Sequence, residues 1–523
     1  MTMSHSKERH GMKQEARLRS TILAAVLGAA ALSGCASSAP ETVPAPAEPA
    51  AEPGPAATRG PAPSTPAANA TAPALGPAPQ LTMPAVEHDT LPNGIRLQVV
   101  RMAEVPLVNA RLTIAAGARL DGERPGLATF TANMLDEGAG KRDAFAIAAE
   151  LEYLGASLST GAGWEAMTIA LNAPKRTFAR AMDVMADVVL RPTFSRVDVA
   201  RQRDLRLAGI LQQRDQPGAV ANLVFSHVVF PAGHPYHAPI GGDSASTAAL
   251  DSAMVRAFWN RAADPRKATL IVTGDITLEE ARELTLARFG SWRAPARPLP
   301  APPSPAEAPR PETRIVLVDK PGAVQSVVSI GAPGVDRRSE DYAAITLMNT
   351  ILGGSFSARL NDILREQKGY TYGAFSGYAW RPLPGPFSAG AQVRTNVTDS
   401  SLAIFFSEFE RIREAPVSDA ELERARAYLT LGALTEFETT GDVAAQLAGL
   451  NEFGLPLTSI PEELAAISRV TAADVQRVAQ TYLDPTRLTV VVVGDVATVR
   501  PGLEALALGP VELRDFNGNE VSR

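Results

Sequence analysis

The chain predicts an α+β fold built from two similar halves, each a mainly antiparallel sheet covered by helices, and three features carry that expectation. The first is an internal repeat: DPRKATLIVTGD (264–275) and DPTRLTVVVVGD (484–495) share the Asp-Pro pair, a Thr, a Val and the Gly-Asp end in register, 220 residues apart. Each reads as a turn, a buried strand and a second turn. The second is the order of patterns. Each half opens with alternation and continues with long helical stretches, without a regular βαβ rhythm, which points to helices laid on a largely antiparallel sheet. The third is the Pro-rich segment 293–312, RAPARPLPAPPSPAEAPRPE, which separates two stretches of similar size. A unit of about 210 residues is far longer than any solenoid repeat, so a whole domain has been duplicated.

Taken in order, residues 1–35 form a leader. Lys7, Arg9, Lys13, Arg17 and Arg19 precede the apolar run Ile22 to Leu32, which is followed by Ser33, Gly34 and Cys35. The run is too short to cross a bilayer, which takes about 20 residues, and it fits the apolar core of an export signal. Leu32-Ser33-Gly34-Cys35 resembles the bacterial lipobox, whose cysteine is lipidated and becomes the mature N-terminus. Cys35 is the only cysteine in the chain, which rules out an internal disulfide and supports a lipidation role. A lipidated Cys35 implies a bacterial envelope protein held to a membrane through its lipid. Ala36 after the cysteine leans, by analogy with lipoprotein sorting, towards the outer membrane and the periplasmic side.

Residues 36–80 are nearly all Ala, Pro, Ser, Thr, Gly and Glu. Such a segment buries too little apolar surface to offset its ordering entropy. It is expected to be a disordered stalk reaching between about 40 and 140 Å, depending on its polyproline II content. Residues 81–292 form the first domain. There Leu112, Ile114 and Ala116 alternate with Arg111, Thr113 and Ala115, and helical patterns cover 176–190 and 196–215. The linker 293–312 leads to the second domain, 313–523. In it Val324, Ser326, Val328 and Ile330 alternate less strictly with Gln325, Val327 and Ser329, and helical patterns cover 418–439 and 471–482. The net charge is −6, so the basic face that nucleic-acid binding requires is not expected.

Several motifs fall in a fixed order. They are LPNGIRLQVVR (91–101), AAGARLDGERPGLA (115–128), RDQPGAV (214–220), HPYHAPIGG (234–242) and LGGSFSARLNDILREQKGYTYGAFSGY (352–378). Together, over roughly residues 85–500, the chain resembles the M16 metallopeptidases, the pitrilysin, insulinase and processing-peptidase family. The resemblance implies a half-clamshell of two homologous domains. It also implies a zinc helix in the first half, at GLATFTANMLDEGA (126–139). Active members carry His-x-x-Glu-His there, two imidazoles on one helix face and a general base between them, with a further Glu about 75 residues on.

On this chain those positions fall at Thr129 for the first His, Ala132 for the Glu, Asn133 for the second His and Gly209 for the distant Glu. No His lies within thirty residues of the helix on either side, so the loss is not a shift of register. A catalytic zinc site keeps three strong protein ligands, and none is expected in this chain. His234 and His237 form an H-x-x-H pair that the resemblance places in a structural loop. Hydrogen-bonded single histidines are expected at His88 and His227, and a helix end or solvated face at Asp136-Glu137.

The resemblance gives Arg365 and Tyr372, in LREQKGYTYG, a different standing. In active members an Arg and a Tyr at this spacing reach from the C-terminal domain to the peptide. There the Arg can donate bidentate hydrogen bonds to a carbonyl and the Tyr can stabilise an oxyanion. Tyr370 competes for the second role, and register favours Tyr372. The expectation that follows is a zinc-less subunit of an envelope peptidase that supplies Arg365 and Tyr372 to a partner bearing the zinc, with peptide as substrate. The alternatives are a peptide-binding or scaffold lipoprotein with no proteolytic role, and a zinc endopeptidase active on its own.

Overall fold

The computed structural model describes residues 81–521, apart from 303, 306 and 307. Cys35, the leader and the stalk lie outside the described residues.

The first half holds strands β1 (Glu87–Thr90), β2 (Arg96–Arg101), β3 (Leu107–Ile114), β4 (Gly138–Ala139), β5 (Arg142–Asp143), β6 (Ser157–Ala162), β7 (Met167–Pro174) and β8 (Ala268–Gly274). Six of them form a sheet in the order β1-β2-β8-β3-β7-β6, while β4 and β5 pair with each other. The second half holds β9 (Arg314–Asp319), β10 (Gln325–Pro333), β11 (Thr371–Tyr378), β12 (Pro386–Arg394), β13 (Thr489–Gly494) and β14 (Val511–Arg514), in the order β11-β12-β10-β13-β9-β14. Only β2–β8, β9–β13 and β9–β14 run parallel, so the sheets are mostly antiparallel.

The repeated motif forms β8 and β13. Each lies between a parallel neighbour (β2 or β9) and an antiparallel one (β3 or β10). The Asp-Pro pair opens each motif as one turn of 3-10 helix. Asp264 accepts the amide N–H of Arg266, Asp484 accepts that of Thr486, and each Pro takes the first position, where no N–H is needed. Gly274 ends β8 at φ +130°, and a Cβ there would stand 2.1 Å from the Leu107 carbonyl oxygen, so only glycine fits.

Both repeat strands are buried along their whole length, which requires cover on both faces of each sheet. Within the first half, Leu270 and Val272 face the main core. Ile271 points the other way, onto Val443, Ala444 and Leu447 of helix Thr440–Phe453 from the second half. In the second half, Val490 and Val492 face the main core. Val491 and Val493 meet Val220, Val224 and Phe225 of helix Pro217–Val229 from the first half. Each half therefore lends one helix to the outer face of the other's sheet. The Pro-rich boundary separates the strands but does not separate the packing.

The alternating patterns become β3 and β10, with Leu112, Ile114, Ser326, Val328 and Ile330 buried, while Val324 precedes β10 and is exposed. The helical patterns become Lys175–Leu190, Arg196–Gln213, Asp419–Thr435 and Ala472–Tyr482. The third stops short of 439 because Thr439 caps the following helix, accepting the Asp442 amide N–H.

Candidate functional site: a zinc helix without its ligands

Helix Leu127–Asn133 has only seven residues and depends on what holds its ends. The Asp121 carboxylate accepts the amide N–H groups of Gly126 (2.8 Å) and Ala128 (2.7 Å), which otherwise lack helical partners. Gly126 takes φ +88°, and a Cβ on it would stand 2.3 Å from the Gly241 carbonyl oxygen, so the loop of residues 239–242 presses directly on the helix start.

Thr129 is buried. Its hydroxyl oxygen lies 3.0 Å from the Gly126 carbonyl and 3.1 Å from the Ile240 carbonyl, and accepts from Arg206 Nη2 at 3.3 Å. Arg206 also donates to the Gly241 carbonyl, and its guanidinium lies 5.9 Å from the Phe130 ring centroid. Ala132 is fully buried in the first core, whereas Asn133 is exposed at the helix end. Gly209 lies one turn beyond Arg206 on helix Arg196–Gln213, and a Cβ added there would meet nothing within 4 Å. The two helices are fastened by Glu137, which accepts from both Arg201 and Gln202. Asp136-Glu137 is thus a helix-end anchor rather than a solvated face, and burial raises the Asp136 carboxyl above its usual range.

These residues do not fit zinc. The three ligand positions offer a hydroxyl, an amide and no side chain, the general-base position offers only a methyl, and a guanidinium is lodged against the first ligand position. Among the described residues no group of three His, Cys, Asp or Glu side chains is arranged to hold a metal ion. Arg206 was not singled out in the sequence; the available signal was its place three residues before Gly209, which puts both on one helix face.

Burial pushes the Asp121 carboxyl from 3.8 up to about 7, against its two amide donors and the charge of Arg206. The folded chain therefore holds this proton more tightly than the unfolded chain. The resulting stabilisation is full below about pH 4 and is lost as pH rises towards about 7. Asp121→Asn, which keeps an acceptor for the helix, is expected to remove that slope, worth at most about 1.4 kcal/mol per pH unit for one proton. Thermal denaturation of both proteins between pH 4 and 7 checks this, and parallel curves would refute it.

Arg365 and Tyr372 lie in the second half. Arg365 sits on the wide helical turn Asp362–Gln367, partly exposed, with its guanidinium 4.6 Å from the Phe356 ring centroid and 3.4 Å from the adjacent Glu366 carboxylate. Tyr372 is on edge strand β11 and is 90% exposed. The register of β11 against β12 is interrupted between Thr371 and Ala374, which releases Tyr372 and Gly373 from the ladder. Tyr370, by contrast, packs against the second core. Among the described residues no hydrogen bond or ion pair joins Arg365 or Tyr372 to helix Leu127–Asn133.

The histidine loop is a fastening. His234 is buried and held neutral, its pKa lowered to about 4 by desolvation and by Arg119 and Arg381. The His227 and His237 rings stack at 4.5 Å, with Nδ1 of each bonded to a backbone carbonyl, Asn517 at 2.7 Å and Phe230 at 2.8 Å.

The family model described as Insulinase (Peptidase family M16) matches residues 99–232, and the one described as Peptidase M16 inactive domain matches residues 249–429. An uncharacterized zinc protease of Streptomyces coelicolor is 25% identical over 404 residues, 76% of this chain and 87% of its own length. The mitochondrial-processing peptidase subunit beta of Lentinula edodes is 24% identical over 420 residues, 76% of this chain and 88% of its own. Among solved structures, a peptidase M16 inactive domain from Pseudomonas fluorescens matches with a TM-score of 0.71 at 28% identity, over 78% of this chain and 98% of that one. A protease from Helicobacter pylori shares the fold, with a TM-score of 0.74 at 18% identity over 79% of this chain and 100% of that one.

Two similar sheet-and-helix halves, with a short helix in the first at the place of the metallopeptidase zinc motif, give the chain the architecture of the metallopeptidase class without its zinc ligands. The chain belongs to the M16 peptidase family.

Proposed function

We propose that this chain is the zinc-less subunit of a two-chain M16 peptidase in the bacterial envelope. It is anchored through lipidated Cys35 and carries its folded body on the Pro-rich stalk 36–80. A partner chain bearing His-x-x-Glu-His holds the zinc. This chain contributes Arg365, which donates to a substrate carbonyl, and Tyr372, whose hydroxyl steadies the developing oxyanion.

One contrast carries the reading. All four metal-site positions are replaced and Arg206 is lodged against Thr129, while Tyr372 stands 90% exposed on a released stretch of edge strand. A side chain this exposed, with no hydrogen bond among the described residues, is available to something outside the chain. Relatives described as zinc proteases, and one described as a subunit of a processing peptidase, support the same division of labour.

The isolated chain is expected to hold less than about 0.1 equivalent of zinc after metal exposure, since three strong ligands are needed, and to cleave no peptide. Metal analysis and a fluorogenic peptide assay check both. One equivalent of zinc with hydrolysis by the purified chain would replace this reading with a self-sufficient peptidase. Co-purification of a His-x-x-Glu-His chain from membranes is the expected partner result.

A further inference from the structure

Beside the replaced metal positions lies a cavity of about 400 Å³ that the proposed peptidase role does not use. Ile210, the residue after Gly209, forms one wall. Val220 and Leu223 of helix Pro217–Val229 form a second, and Phe516 of the C-terminal segment closes a third side. Trp164 from the first half and Arg381 from the β11–β12 connection complete it. Both halves of the chain thus build the lining, which is mostly hydrocarbon and aromatic.

Arg381 is the distinctive group. Its guanidinium carbon lies 4.2 Å from the Tyr236 ring centroid and 5.0 Å from that of Trp164, so two aromatic rings flank the cation. Among the described residues no carboxylate lies within 4.0 Å of it, and Glu165 and Glu452 act on it only from longer range. Burial lowers its pKa, which marks a cation short of solvation. Arg214 adds positive charge at the lining, its guanidinium 4.5 Å from the Phe516 centroid. The one acidic residue in the lining, Asp243, is already engaged, accepting the Ser246 amide N–H at 2.7 Å to cap a short helix.

We propose that this cavity binds an organic carboxylate with an apolar body. The carboxylate pairs with the Arg381 fork, and the hydrocarbon or ring lies against Trp164, Leu223 and Ile210. Such a group repairs what the cavity lacks, a desolvated anion for a desolvated cation. A free fatty or aromatic acid and the C-terminal residue of a peptide share this chemistry. The site belongs to this chain alone and does not depend on a zinc-bearing partner.

The test is calorimetric titration of the purified full-length chain with N-acetylphenylalanine, its amide, decanoate, and a short peptide ending in Phe as the free acid or the amide. Acids are expected to bind at least about tenfold more tightly than amides, the scale of one charge-assisted hydrogen bond. Arg381→Gln is expected to erase that preference, and Leu223→Trp, which fills the cavity, to weaken every ligand. Binding of decanoate but not the peptide acid assigns the site to free acids; the peptide acid alone assigns it to peptide C-termini. The proposal falls if wild type binds acid and amide equally or binds neither. It also falls if a folded Arg381→Gln keeps the preference. Unchanged binding in Leu223→Trp overturns it even where Arg381→Gln fails to fold.

Discussion

Tyr372→Phe is expected to lower kcat of the two-chain peptidase about a hundredfold, the scale set by loss of one oxyanion donor, while leaving the melting temperature of this chain unchanged. The two halves of that expectation rest on different observations. The ring is 90% exposed, and the strand around it is held by its neighbours: Thr371 donates to the Gln392 carbonyl at 2.7 Å, and Ala374 resumes pairing with Ala391. Removing one exposed hydroxyl therefore costs less than about 0.5 kcal/mol of stability. Turnover has no such buffer, because the hydroxyl acts on charge that develops only in the transition state.

Arg365→Ala is expected to act more on KM, since hydrogen bonds to a ground-state carbonyl bind substrate and transition state alike. Kinetics of the reconstituted pair, with zinc content and melting temperature measured on the same samples, separate these effects. Full activity in the double variant would remove the catalytic role and leave a scaffold.

Phe225→Ala is expected to destabilise the folded chain by about 3–5 kcal/mol, the cost of deleting a buried aromatic ring. Phe225 lies on a helix of the first half, yet it packs with Val316, Val318, Val491 and Val493 on the outer face of the second sheet. The contact is close: a Cβ added to Gly331 on β10 would stand 2.6 Å from the tip of the Phe225 ring. Leu447→Ala, on the helix lent in the opposite direction, is expected to cost about 2–5 kcal/mol for the same reason. Leu205→Ala serves as the exposed control and is expected to cost less than about 0.5 kcal/mol. Urea denaturation of the three variants decides the matter, and a loss below about 1 kcal/mol for Phe225→Ala would mean that the exchanged helix is not a main support.

The parts legible from sequence are those set by local rules. DPRKATLIVTGD and DPTRLTVVVVGD identified β8 and β13, because an Asp-Pro turn followed by a run of β-branched residues has few other solutions. The same runs were apolar at both odd and even positions, a sign of cover on both faces. Their source was hidden, since the covering helices lie about 170 residues after β8 and about 270 residues before β13 in the chain, a range no periodicity reports. Arg206 was missed for a similar reason. In sequence it is one charge on a polar helix; only the fold brings it to Thr129 and the Gly241 carbonyl. Arg381 and Ile210 likewise meet at one cavity from opposite halves.

Sequence alone determined the duplication, the family and the absence of His and Glu from positions 129, 132, 133 and 209. Those are statements about residue identity and near-neighbour order. Tertiary structure alone decided that the halves exchange helices, that a guanidinium lies against the residue at the first zinc-ligand position, and that Tyr372 faces outward while Tyr370 packs inward. Each of these depends on which distant surfaces are brought into van der Waals contact, a property of packing that residue order constrains but does not spell out.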